Sequence, residues 1–156
     1  MKVLDSSGII NARDKEIDGR FLTIPEVKTE IKDIQARLKL EAAIAEKKIT
    51  FEEPSKKAIS DVHDAAETNG ALSLLSDTDI KVLALAHEKN LPIVTDDYDV
   101  QNMCMVLGLG FERISMRGIK EKLVWKKKCS ACGKEYAGDI AECEACGSRT
   151  FSVSRR

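Results

Sequence analysis

Apolar and polar positions follow two rhythms along the first hundred or so residues: short apolar runs, and longer stretches with helical spacing. Lys2-Val3-Leu4 reads as a strand running into Asp5-Ser6-Ser7-Gly8, which is turn and helix-start chemistry. After a polar, irregular stretch over 11–20, Phe21-Leu22-Thr23-Ile24 predicts a second strand, closed by Pro25. Val27, Ile31, Ile34 and Leu38 then fall at helical spacing and alanines continue the face to Ala45, which predicts one amphipathic helix over about 25–47. Ile49-Thr50-Phe51 is a third strand signal. Ser55 caps a helix with the apolar face Ala58, Ile59, Val62, Ala65 and Ala66, and Asn69-Gly70 ends it, because glycine accepts the left-handed turn. Ser76-Asp77-Thr78-Asp79 opens the next helix, Pro92–Thr95 forms a fourth strand, a helix follows over about 98–107, and a fifth strand lies near Phe111–Ile114. Helices that alternate with buried-looking strands predict an α/β domain of three layers around a mostly parallel five-stranded sheet.

A chain of 156 residues, 43% hydrophobic and 33% charged, fits a globular domain with room for a small appendage. The longest uncharged apolar run, Met103 to Phe111, is too short for a membrane span of about 20 residues. An acid already at position 5 does not suit a signal peptide, so the expected location is the cytoplasm. Net charge is −1, but it is unevenly spread. Residues 120–156 carry nine Lys/Arg against five Asp/Glu, and the rest carries 16 against 21. We therefore expect an acidic body over 1–118, a basic connector over 119–128 and a cysteine module over 129–156.

That module is the sharpest local signal. Cys129-x2-Cys132, ten residues, then Cys143-x2-Cys146 is a zinc-ribbon spacing: each pair turns two thiolates toward one point, and two pairs complete a tetrahedron. Four soft thiolates with no open position suit one structural Zn2+. Gly133 and Gly147 follow the second cysteine of each pair, where a tight turn requires positive φ. Lys126, Lys127, Lys128, Lys134 and Arg149, with Arg155 and Arg156, form a candidate phosphate-contacting surface. Tyr136 and Phe151 are expected chiefly to fill the small core of the module rather than to stack on bases.

The body carries acids at strand ends. Asp5 ends the first strand, Glu26 follows the second and Asp96-Asp97 ends the fourth; Asp77 and Asp79 start the helix before it. Singly, each reads as a cap, Thr23 with Glu26 and Ser76 with Asp79 as capping boxes. Together the strand-end acids lie at the edge where α/β proteins bind ligands, and four carboxylates converge there if the fold turns Asp79, at its helix start, toward that edge. With no Lys, Arg or His in these motifs to neutralise them, converging carboxylates call for a hard cation, Mg2+ or Mn2+.

The strings Val3-Leu4-Asp5-Ser6-Ser7, Leu22-Thr23-Ile24-Pro25-Glu26-Val27, Thr78-Asp79-Ile80-x-Val82-Leu83-Ala84-Leu85 and Val94-Thr95-Asp96-Asp97-Tyr98-x-x-Gln101-Asn102 together resemble a PIN domain, a compact metal-dependent ribonuclease fold. With the ribbon, nearly the whole chain is similar to the NIN-one-binding family, in its archaeal rather than eukaryotic form. The resemblance implies an endoribonuclease that forms the mature 3′ end of small-subunit ribosomal RNA by metal-activated water, with ribosome-assembly proteins as further partners and no membrane. It assigns the catalytic acids to Asp5, Glu26, Asp79 and Asp97. Asp77 and Asp96 remain open between metal-supporting neighbours and caps. Gln101 and Asn102 match the family string without a chemistry that requires them.

Two other functions stay in view: a non-catalytic RNA-binding or assembly factor, which the intact acidic set disfavours, and a toxin-type PIN ribonuclease, a class expected to lack a ribbon. His63 and His87 lie inside predicted helices with no Ser or Cys partner motif, and Cys104 reads as a buried hydrophobe.

Overall fold

The short apolar runs become strands. In the computed structural model, which describes residues 1–12, 17–114 and 123–155, β1 (Lys2–Leu4), β2 (Phe21–Thr23), β3 (Ile49–Phe51), β4 (Ile93–Val94) and β5 (Phe111–Glu112) form one sheet in the order β3-β2-β1-β4-β5. Every pairing is parallel, with Val3 opposite Leu22 on one side and Ile93 on the other. Parallel strands need helical crossovers, and the chain supplies α1 (Ser6–Asn11), α2 (Pro25–Glu30), α3 (Ile34–Ala45), α4 (Lys56–Asn69), α5 (Asp77–Lys89) and α6 (Tyr98–Leu107), with a short 3-10 turn at Leu72–Leu74. α1 packs on α2 and α3, whereas α4, α5 and α6 pack on one another, which gives the expected helical layers. α5 lies against β1 and buries Val82 through Ala86 without interruption. Fully buried Leu83 and Leu85 each contribute about 2 kcal/mol relative to exposure.

The single helix expected over 25–47 is two helices. Ile31 leaves the helical region at ψ 102, and the Asp33 carboxylate accepts from Ala36 N at 2.9 Å, so a polar cap restarts the helix in a new phase. The buried face of α3 becomes Ala36, Leu40 and Ala43. Ile34 and Leu38, expected to face the core, are 75% and 62% exposed. Ser55 and Gly70 cap α4 as expected, Gly70 at φ 74.

The C-terminal segment forms an antiparallel sheet of β6 (Val124–Cys129), β7 (Glu135–Ala137) and β8 (Thr150–Arg155), in the order β7-β6-β8. Lys126, Lys127 and Lys128, read from sequence as connector, lie in its middle strand. Positions 119–122 of that connector, the boundary at 118, and Arg156 lie outside the described residues. The small sheet is anchored on the body. Asn102 Oδ1 accepts from Leu123 N at 2.7 Å and its Nδ2 donates to Leu123 O at 3.1 Å, pairing with the backbone as a neighbouring strand does. The Trp125 carbonyl sits where a Cβ on Gly70 would project, so only glycine fits that approach. Among the described residues no helix is long and apolar enough to cross a membrane.

Candidate active site

In a parallel sheet all strand C-termini share one edge, where Asp5, Glu26 and Asp97 fall by their positions, and the charges of Asp5 and Asp97 reach Asp79. Asp5 follows β1 and caps α1, Glu26 lies in the first turn of α2 after β2, Asp97 follows β4 and caps α6, and Asp79 occupies the first turn of α5.

Asp5 is the most enclosed, 1% exposed. It accepts from Ser6 N at 2.7 Å, Ser7 Oγ at 2.7 Å and Thr95 Oγ1 at 2.8 Å. The same two hydroxyls accept from Asp96 N and Asp97 N, which ties the acid of β1 to the loop after β4. Burial pushes the Asp5 carboxyl above its ordinary range, against these hydrogen bonds, and the charge on Asp97 adds to the rise.

Asp79 forms the expected capping box. Its Oδ2 accepts from Ser76 N at 2.7 Å and Ser76 Oγ at 2.8 Å, and its own N–H donates to Ser76 Oγ. Burial raises its pKa first, and the charges of Asp5 and Asp97 raise it further. Asp97 Oδ1 accepts from Asp99 N at 2.7 Å and Val100 N at 3.2 Å. Asp79 and Asp97 each cap through one oxygen of the carboxylate, whereas both oxygens of Asp5 accept hydrogen bonds. The structure adds Asp99, which sequence reasoning passed over; its carboxyl is raised by burial and by Asp97. The spacing Asp97-x-Asp99 was the available signal.

Glu26 differs from the expectation in two ways. The Thr23 capping box does not form, because Thr23 Oγ1 donates to Leu4 O at 2.7 Å across the sheet and Ile24 takes the cap position. The acids also have a cation beside them: Lys81, the unassigned position inside the Thr78–Leu85 string, pairs with Glu26 Oε1 and lies 3.7 Å from Glu53 Oε2. Its hydrogen bond holds the Glu26 carboxyl below the usual range. Glu26 Oε2, by contrast, is buried with no hydrogen-bond partner among the described residues.

Asp77 and Asp96 do not join this group. Asp77 is exposed in the first turn of α5. Asp96 is buried facing other partners: Oδ2 accepts from Asn11 Nδ2 and Oδ1 from Ile114 N, both at 2.8 Å, which ties α1 to the end of β5. Gln101 Nε2 donates to Thr95 O at 3.2 Å, so it and Asn102 have structural duties that the sequence did not disclose.

The donor set is oxygen only, with the carboxyls of Asp5, Asp79 and Asp99 raised by burial and by the charge of Asp97, and one oxygen of Glu26 without a hydrogen-bond partner among the described residues. Such a set fits a hard divalent cation, which would relieve both costs.

The cysteines form the second site. All four Sγ atoms lie within 4.8 Å of one another, with Cys129–Cys146 at 3.4 Å and Cys132–Cys143 at 3.6 Å, near the ~3.8 Å edge of a tetrahedron with metal–sulfur bonds of about 2.3 Å. Ala131 N and Cys132 N both donate to Cys129 Sγ, the knuckle geometry, and Gly133 and Gly147 have φ of 74 and 70. Tyr136 Oη lies 3.0 Å from Cys143 Sγ and pulls that thiol down to about 6. Among the described residues one other ligand-type group, His63, Asp64 and Glu67, sits on the exposed side of α4. Burial pushes the thiol of Cys104 up to about 12 and leaves it inert.

The basic candidates separate by face. Along β6 side chains alternate, so Lys126 and Lys128 share the face opposite Lys127. Lys127 is 9% exposed, paired with Asp139 at 2.9 Å and donating to Ser73 Oγ at 3.2 Å. It ties the small sheet to the body and is not presented to a ligand. Phe151 stands opposite Lys128 and is 47% exposed, which corrects the expectation that both aromatics fill the module's core. Tyr136 does pack inward, with Lys134 Nζ 5.3 Å above its ring. Lys134 and Arg149 are exposed.

Known proteins are similar to this chain in sequence. A family model described as "PIN domain of ribonuclease" matches residues 3–88. "Endoribonuclease Nob1" of Pyrococcus abyssi is 40% identical over 99% of this chain and 94% of that protein. "Ribonuclease VapC1" of Thermoplasma acidophilum is 32% identical over 93% of this chain and 74% of that protein. An alignment of that reach runs into the cysteine segment, so the segment does not by itself separate the two names. "20S-pre-rRNA D-site endonuclease NOB1" of Saccharomyces cerevisiae is 36% identical over half of this chain and 17% of its own length.

Proposed function

The chain belongs to the Nob1 family of PIN-domain endoribonucleases, and from that premise we propose that it cleaves precursor small-subunit ribosomal RNA to form the mature 3′ end. The observation that carries this reading is the carboxylate edge: burial, with the charge of Asp97 added, raises the Asp5 and Asp79 carboxyls, and Glu26 Oε2 is buried without a hydrogen-bond partner among the described residues. Asp5, Glu26, Asp79 and Asp97 would hold Mg2+ or Mn2+, with Asp99 beside Asp97. When bound, such a cation supplies Lewis acidity toward water and the phosphodiester.

The chain's own residues prepare the edge. Ser7 and Thr95 aim the Asp5 carboxylate, the Ser76 box aims Asp79, and the α6 cap aims Asp97. Lys81 orients Glu26 through one oxygen and leaves the other free for a ligand. The cysteines would hold one structural Zn2+, which closes the small sheet. Lys126, Lys128, Lys134 and Arg149 would meet RNA phosphates, and Phe151 offers a stacking face beside Lys128. Ribosome-assembly proteins would position the RNA, in the cytoplasm.

The deciding experiment incubates the purified chain with precursor rRNA fragments and Mn2+ and maps the ends. We expect one dominant cut at the mature 3′ end, leaving 5′-phosphate and 3′-hydroxyl, absent in Asp5→Asn. Cutting that survives Asp5→Asn, or binding without any cutting, would overturn the reading; the latter would favour an assembly factor.

A further inference from the structure

Between α4, the Leu72–Leu74 turn and the start of α5 lies a cavity of about 430 Å3 that the acidic edge does not use. Its walls are apolar: Ile59, Leu72, Leu75 and Ile80. Three polar side chains stand on its rim, His63, Asp77 and Lys81. An apolar hollow of a few hundred Å3 with a few placed polar groups is the usual build of a small-ligand site.

Its position suggests the ligand. Lys81 lines the cavity and also pairs with Glu26, so one side chain joins hollow and acidic edge. Asp77 stands two residues before Asp79 in the first turn of α5. Through Lys81 the hollow adjoins Glu26, so a strand of RNA with a phosphate at the acids would run past its mouth. The groups match a nucleotide part by part. Apolar walls take the flat face of a base and the half-exposed His63 ring offers stacking, while Lys81, held by Glu26, ties the hollow to the edge. The Asp77 carboxylate accepts hydrogen bonds only, so it prefers adjacent N–H donors. Guanine presents two such donors, N1–H and N2–H, side by side, which both oxygens of one carboxylate can accept.

Resting on the proposed ribonuclease reading, we propose that this cavity receives a single base of the RNA substrate, preferentially guanine, next to the phosphate held at the acidic edge.

The chain's two histidines make the test direct. His63 is on the rim, whereas His87 lies ten residues beyond Asp77 in the same helix, about 15 Å along its axis. Full-length protein is titrated with each of the four nucleoside 5′-monophosphates without divalent metal, and the histidine ring resonances are followed. We expect guanosine monophosphate to shift His63 saturably and leave His87 unmoved, with the other three about fivefold weaker or more. Asp77→Asn, an exposed position, should remove the guanine preference and keep the fold. An unmoved His63, equal shifts of both histidines, or an unchanged preference in Asp77→Asn would overturn the proposal. Cleavage of a guanine-containing oligoribonucleotide with Mn2+ is read in parallel. Cleavage with His63 unmoved removes the base site and leaves the nuclease reading intact. A selective His63 shift without cleavage upholds the base site and removes the reading of the acids.

Discussion

Asn102 closes two hydrogen bonds with the backbone of Leu123, accepting from its N–H at 2.7 Å and donating to its C=O at 3.1 Å. One side chain of α6 thereby joins the body to the strand that leads into the cysteine sheet, and buried Asn69 lies 3.4 Å from the same amide. Asn102→Ala leaves a partly buried N–H and C=O of Leu123 without their partners and should cost about 1–2 kcal/mol. Thermal unfolding should resolve into separate steps for body and small sheet, with metal content unchanged. A single transition at the wild-type temperature would show that the clamp does not couple them.

Asp5→Asn, Asp79→Asn and Asp97→Asn should each lose cleavage about 100-fold or more while RNA binding persists. At Asp5 the amide fits because the Ser7 and Thr95 hydroxyls can turn to accept from it. Cleavage assays beside a filter-binding measurement separate the two effects.

The same acids set a pH dependence. Burial raises Asp5 and Asp79 in the fold above the ordinary value of 3.8. Their protonated forms favour the folded state, so this contribution is complete below about pH 3.8 and is lost as pH rises through the folded values. In metal-free protein, Asp5→Asn should therefore gain stability relative to wild type toward neutral pH and lose that advantage in acid. Saturating Mn2+ should narrow the difference by stabilising wild type. Urea titrations at pH 4 and pH 7, with and without Mn2+, measure all three.

Cys132→Ser should release the zinc and unfold the segment 129–151, since a site of this kind supplies about 10–16 kcal/mol of binding that a few strands cannot replace. The body should keep its own transition. Metal analysis that finds zinc retained, or iron in wild type, would contradict the assignment.

The lysines of β6 should behave in opposite ways despite being adjacent. Lys126→Ala and Lys128→Ala should each lower the slope of log affinity against log salt by about 0.7 on single-stranded RNA, with little change in melting temperature. Lys127→Ala should leave the slope alone and destabilise the protein, because it strands Asp139.

Much of this molecule was legible in the order of its residues. Strand apolar runs, the Ser55 and Gly70 caps of α4, the Ser76 box and the cysteine spacing are local signals, settled by neighbours within a few positions, and the structure agrees with each. The order of acids along the chain likewise put Asp5 and Asp97 at the strand ends where the fold has them, each capping the helix that follows. What sequence could not decide were contacts across the fold. One helix over 25–47 became two because a single Asp33 cap outweighed the spacing of Ile34 and Leu38, whose phase had nothing to bury against. Lys81 meets a glutamate 55 positions away, Lys127 turns inward to Asp139 while its neighbours face out, and Asn102 pairs with a backbone 21 residues on. Periodicity tells a side chain which face to take, but which partner waits there is set by chain segments brought together only when the sheet forms.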